Sequence, residues 1–125
     1  MKPHTNETNI SELGERVRSL RLARTLGLRA LARAAGVDPT WLSRLEAGRY
    51  SSPDARALGR VARALDVDAE ELLLAAGYSD GHGLPGFAPY LRAKYELPDE
   101  AVAQLEAHFQ LMSDKYAPPQ GGSDE

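Results

Sequence analysis

The stretch GVDPTWLSRLEAGRYSSP, residues 36–53, decides how this chain folds. Asp38-Pro39 reads as a helix N-cap followed by proline at the first helical position, where a missing N–H costs nothing. The helix so opened runs to Ala47 and stops at Gly48. On a wheel of about 100° per residue with Leu42 at zero, Leu45 falls at about −60° and Glu46 at about +40°. A carboxylate therefore sits on the core side of a short helix, which calls for a partner. Thr40, Arg44 and Ala47 lie within about 40° of the opposite pole, with Ser43 and Trp41 at the two shoulders. That outward face is small and polar around one arginine. It can approach another surface closely, and the forked donors of Arg44 match a guanine edge in a DNA major groove.

Helix signals continue on both sides, while strand alternation is nearly absent. Ile10, Leu13, Val17 and Leu20 predict a first helix from about Ser11 to Thr25. Leu28, Leu31, Ala32 and Ala35 predict a second, ended by Gly36. Ser52-Pro53 repeats the cap-and-proline device before a fourth helix with Leu58, Val61, Ala62 and Leu65 inward. Asp68 caps a fifth, with Ala69, Leu72, Leu73 and Ala76 inward and Gly77 at its end. Five short helices over residues 11–77 predict an all-α domain, and the second and third, joined by a tight turn, form a helix-turn-helix.

Residues 78–86, YSDGHGLPG, read as a linker, and residues 1–10 as a flexible arm. FAPYLRAKY predicts a short helix and LPDEAVAQLEAHFQLMSDKY a longer one, with Asp99 and Glu100 where the helix dipole favours acids. Together they form a two-helix segment over residues 87–116. Val102, Leu105, Phe109, Met112 and Tyr116 step 3, 4, 3, 4, an apolar seam over two heptads. This seam has three readings: packing on Phe87, Tyr90, Leu91 and Tyr95 within the chain, a two-fold dimer, or a different protein partner. The end, APPQGGSDE, reads as disordered.

Composition excludes several chemistries. There is no cysteine, so no disulfide, thiolate nucleophile or zinc–thiolate site exists. No apolar run reaches the roughly 20 residues of a membrane span, and the N-terminus lacks a signal-peptide core, so a soluble, cytoplasmic protein is expected. His4, His82 and His108 match no metal spacing, and no nucleophile elbow or phosphate-cradling loop is present. The sequence therefore predicts no enzyme activity, no metal and no cofactor. Charge is informative by position. Residues 1–65 carry 12 Lys+Arg against 6 Asp+Glu, whereas residues 66–125 carry 3 against 12, so a +6 half precedes a −9 half. Such asymmetry points to a nucleic-acid face joined to a module that stays off the nucleic acid.

The pieces VRSLR (17–21), LARAAGV (31–37), LSRLEAG (42–48), the start at Pro53 and ALDVDAEELL (64–73) stand in one register. Together they resemble the lambda-repressor/Cro-like, or XRE-type, helix-turn-helix transcriptional regulators over roughly residues 11–77. The resemblance implies a five-helix DNA-binding domain whose third helix enters the major groove of double-stranded DNA. It implies base contacts at Pro39, Thr40 and Arg44, with Ser43 and Trp41 nearby. Proline has no N–H to donate, so reading leans on Thr40 and Arg44. Phosphate contacts are implied at Arg16, at Leu28 and Arg29, and in the loop of Gly48, Arg49, Tyr50, Ser51 and Ser52. Two departures stand out: the second helix opens with Gly27-Leu28 rather than Ser or Thr and Gln, and Leu22 faces outward on the first helix.

For Glu46 the family pattern implies an internal ion pair with Arg21, set against a role as general acid or base. Trp41 either packs against the scaffold or the sugar–phosphate wall, or stacks on an exposed base. The expected protein is a dimeric, nucleoid-associated repressor that reads an inverted repeat. An antitoxin-like or adaptor protein acting through its C-terminal helices is the alternative. The tail resembles that of short repressors of mobile elements, which implies a regulatory metallopeptidase as a partner.

Overall fold

A computed structural model describes residues 6–50, 52–78 and 86–116, with side chains described from Glu12 onward. Every regular element among them is helical: α1 (Asn6–Ala23), α2 (Leu28–Ala35), α3 (Pro39–Glu46), α4 (Ala55–Leu65), α5 (Ala69–Ala75), α6 (Phe87–Tyr95) and α7 (Asp99–Tyr116). The chain is all-α, in accord with the periodicity.

Local chemistry explains most boundaries. Gly36 ends α2 in the left-handed region at φ 70°, returning N–H bonds to the Ala32 and Arg33 carbonyls. Asp38 caps α3 by accepting the Thr40 N–H at 2.8 Å, with Pro39 in the first turn. Two boundaries differ from expectation. Residues 6–10, expected in the arm, are helical, because neither glycine nor proline interrupts the chain between Asn6 and Leu13. The first five residues of the arm and the tail from 117 lie outside the described residues. The α4 cap is Asp54 rather than Ser52: its carboxylate accepts the Ala57 N–H at 2.9 Å. A charged acceptor outcompetes the hydroxyl, and the Pro53 carbonyl instead accepts the Tyr78 hydroxyl at 2.8 Å.

The core joins α1 to α5 through fully buried Leu13, Val17, Leu31, Leu42, Leu45, Leu58, Val61, Leu65, Leu72 and Leu73. Each such side chain contributes about 1.5–3 kcal/mol of transfer free energy. Two glycines set how closely helices cross. A Cβ on Gly14 of α1 would stand 2.5 Å from the Glu46 carbonyl oxygen, so only glycine lets α1 cross the end of α3. A Cβ on Gly59 of α4 would stand 2.0 Å from the carbonyl oxygen of Ala93 in α6.

That second crossing joins the C-terminal segment to the five-helix domain. The stretch 87–95 was expected to pair with the last helix in a two-helix segment. α6 does touch α7, and it also packs on α4 and α5, with Ala93 buried in the same core as α1 to α5. Residues 79–85 of the expected linker lie outside the described residues, but its ends are close: the Gly86 N–H donates to the Tyr78 carbonyl at 3.1 Å. Within α7 only Val102 is buried. Leu105, Phe109, Leu111 and Tyr116 are exposed.

Arginines on one face of α4 fasten this arrangement. Arg56 donates to the Leu97 carbonyl at 3.0 and 2.6 Å and to Asp99 at 2.7 Å. Arg92 reaches the same Asp99 oxygen at 3.1 Å. Arg60 donates to Glu96 at 2.8 Å, and Arg63 bonds its other oxygen. The hydrogen bond from Arg60 holds the Glu96 carboxyl below the usual carboxylate range, and those from Arg56 and Arg92 do the same for Asp99.

Candidate nucleic-acid interface

The candidate site is built on α3. Its inner side carries Leu42 and Leu45 into the core, and its outer side leaves Thr40, Ser43, Arg44 and Ala47 exposed. Pro39 and Trp41 are half-buried at its edge. Trp41 stacks on Tyr50 with ring centroids 5.9 Å apart and 27° between planes. Of its two readings, this geometry matches the packed one, since Tyr50 occupies one ring face. An open groove runs between α3 and α4, bordered by Asp38, Thr40, Trp41, Arg44, Tyr50 and Arg60.

Glu46 has the partner its position demands. Arg21 donates from Nε at 2.7 Å and from Nη2 at 2.9 Å to its two oxygens. Arg21 Nη1 also reaches the Leu26 carbonyl at 3.1 Å. Both side chains are about nine-tenths buried. The hydrogen bond to Glu46 raises the pKa of Arg21, so the guanidinium stays charged. A two-point fork resists rotation as well as separation, so it fixes the tilt of α3 against α1.

The expected phosphate contacts divide. Arg29 is exposed at the N-terminus of α2, where free backbone N–H groups favour an anion. Leu28 is half-buried against the core, so only its backbone N–H can serve. Arg16 is bonded to Glu71 of α5, so its guanidinium already has an anion. Gly48 adopts φ 74°, which turns the chain out of α3. Arg49 and Ser52 are exposed, and Tyr50 is half-buried. Ser51 lies outside the described residues. Among the seam residues, Val102 is buried and Met112 half-buried, and Phe109 meets Phe87 at 5.1 Å. Leu22 stays 53% exposed, with no cover from the C-terminal helices.

Among the described residues, five of the eleven arginines in residues 1–65 are held by carboxylates: Arg16, Arg21, Arg56, Arg60 and Arg63. The basic half is thus partly an internal fastening, which a charge count cannot distinguish from a DNA face. Sequence reasoning missed Gly59, the α4 arginines and Tyr78. The spacing of Arg56, Arg60 and Arg63 at i, i+4 and i+7 was the available signal for a shared face.

Among the described residues, no group of three His, Cys, Asp or Glu could hold a metal, and no helix is long and apolar enough to cross a membrane.

A helix-turn-helix whose second helix is braced from within and presents a small polar outer face defines a class of DNA-binding protein. Residues 12–75 match the family described as the helix-turn-helix domain. The chain is 30% identical over 99 residues to the HTH-type transcriptional repressor RghR of Bacillus subtilis, covering 79% of this chain and 69% of that protein. It is 33% identical over 111 residues to the transcriptional regulator RghRB of the same organism, covering 83% and 76%. An HTH_3 family transcriptional regulator from Vibrio cholerae superposes with a TM-score of 0.50 and 27% identity, over 56% of this chain and 39% of that one. The chain belongs to the XRE-like helix-turn-helix transcriptional regulators.

Proposed function

We propose that the protein is a dimeric repressor that reads an inverted-repeat operator with α3 in the major groove. The observation that carries this reading is the two-sided construction of α3. A forked ion pair fixes its inner side, while Thr40, Ser43 and Arg44 stand free on the outer one. Arg44 is the guanine reader and Thr40 its neighbour, while Arg29, Arg49 and the loop through Ser52 hold the backbone. The repressor among the similar proteins supports the sign of regulation.

Energetics and surface support dimerisation. One module covers half a site, and a second copy brings the other half to high effective concentration. The exposed part of α7, with Leu105, Phe109 and Tyr116, offers the apolar surface for that pairing. Its half-sites would lie about one helical turn apart. A repressor of this kind would work in the cytoplasm, on the nucleoid. The same apolar strip favours a second reading, in which a regulatory protein such as a peptidase, or the target of an adaptor, docks on α7.

Footprinting upstream of its own gene, with sedimentation to count subunits, tests the whole reading. Arg44→Ala should cost about 1–3 kcal/mol on the operator and relax selectivity at one base pair. Arg49→Ala should weaken all sequences alike and reduce the salt slope by about one. Uniform losses in both variants would overturn the assignment of Arg44 to base reading.

A further inference from the structure

The loop between α3 and α4 carries the backbone-binding residues of the proposed interface, and its described residues are anchored at two points. It leaves α3 through Gly48 at φ 74° and joins α4 at the Asp54 cap. Between these ends, Tyr50 is fixed by Trp41. The far end is fixed by a residue from another part of the chain. The Tyr78 hydroxyl donates to the Pro53 carbonyl at 2.8 Å and lies 3.2 Å from Ser52 Oγ.

Tyr78 also stands where the chain leaves α5 for the C-terminal helices. Its N–H donates to the Leu73 carbonyl at 2.9 Å, and its own carbonyl accepts the Gly86 N–H that opens α6. One residue thus bonds α5, the start of α6 and the DNA-facing loop. A second tether lies close by: Arg56, in the first turn of α4, holds the Leu97 carbonyl and Asp99. Ser52, Asp54, Arg56, Tyr78, Arg92 and Asp99 border one shared hollow. Both tethers tie the loop and the start of α4 to the α6–α7 unit.

We propose that Tyr78 is a positioning residue for DNA binding, its hydroxyl holding the α3–α4 loop in register with backbone phosphates and coupling that loop to the docked state of α6 and α7. The proposal rests on the loop contacting phosphate, as set out above. A loop held by two aromatic anchors enters the complex already ordered, and the entropy of ordering it does not weaken binding. A partner that displaces α6 from α4 removes the Gly86 end of the tether, and the loop loosens without any contact to DNA.

Tyr78→Phe keeps the ring and removes only the hydroxyl. Using the full chain, its affinity is measured on the operator and on a scrambled duplex across a salt series. Amide hydrogen exchange of residues 49–54 is followed in the DNA-free chain, with Arg49→Ala as the control. The expected result is a loss of about three- to tenfold on both duplexes, a shallower salt slope, and faster exchange confined to the loop. Unchanged affinity and unchanged loop exchange in Tyr78→Phe, with Arg49→Ala still weakened, would overturn the role of Tyr78 and leave the loop's phosphate contact standing. A normal salt slope in Arg49→Ala would overturn that contact and the proposal with it. Faster exchange spread over the whole core would assign Tyr78 to folding alone and overturn the proposal too.

Discussion

Replacing Gly59 by alanine separates two physical effects of opposite sign. In an isolated helix the change is favourable by about 0.8–1 kcal/mol, because alanine restricts the unfolded chain and glycine does not. In the folded protein the new Cβ would lie 2.0 Å from the Ala93 carbonyl oxygen and 2.6 Å from its carbon. Ordinary contacts of this kind begin near 3.4 Å, so α4 and α6 must separate by more than an ångström. The obstacle is backbone, which has no rotamer to escape into. Separation uncovers Ala93 and stretches the bonds from Arg56, Arg60 and Arg63 to the α6–α7 connection. Overpacking of this kind costs about 1–3 kcal/mol, and more where backbone must move. We therefore expect a net loss of about 2 kcal/mol, equivalent to roughly 6–10 °C in Tm for a chain of this size. Thermal melting followed by far-ultraviolet circular dichroism, with urea unfolding as a check, measures it. A rise in Tm would mean that helix propensity alone operates at residue 59, and the close α4–α6 crossing would be refuted.

Glu46→Gln should leave the Arg21 guanidinium without a counter-charge where both side chains are about nine-tenths buried. A loss of about 2–4 kcal/mol in urea unfolding is expected, whereas removing an ordinary surface pair costs under about 1 kcal/mol. The docking of α6 and α7 should also depend on pH. Glu96 and Asp99 have lowered pKa values in the folded chain, so their contribution is fully present above the ordinary carboxylate pKa and is lost as pH falls through the lowered folded values. Amide exchange in α6 should therefore accelerate on acidification ahead of exchange in α3, after correction for the intrinsic pH dependence. Equal acceleration in both helices would remove the connection from this role.

The five-helix pattern was legible because each short helix has one buried stripe and a chemically distinct end. Leu58, Val61, Ala62 and Leu65 face inward as their spacing predicts, and so do Ala69, Leu72, Leu73 and Ala76. The Asp38 cap and the Gly36 stop were readable for the same reason, since each acts within a few residues of itself. The α4 start was not, because Ser52 and Asp54 are both plausible caps and a distant hydroxyl from Tyr78 engages the Pro53 carbonyl. Of the candidate interface, the outward side of α3 was legible from the wheel. The engagement of Arg16 by Glu71 was not, because those residues are 55 positions apart.

The sequence by itself determined the helices, their inward faces and the small polar surface carrying Thr40 and Arg44. These follow from periodicity and capping, which are local. Tertiary structure decided which arginines are paired with a carboxylate among the described residues, and that the helix after the linker also packs on the core. Both depend on the closest approach of backbones at Gly59 and Ala93, and on carboxylates brought from the acidic half onto α4. Charge is counted along the chain, but its availability is set in space. A glycine in a helix reads as a weakness until the backbone that needs its missing Cβ is in place.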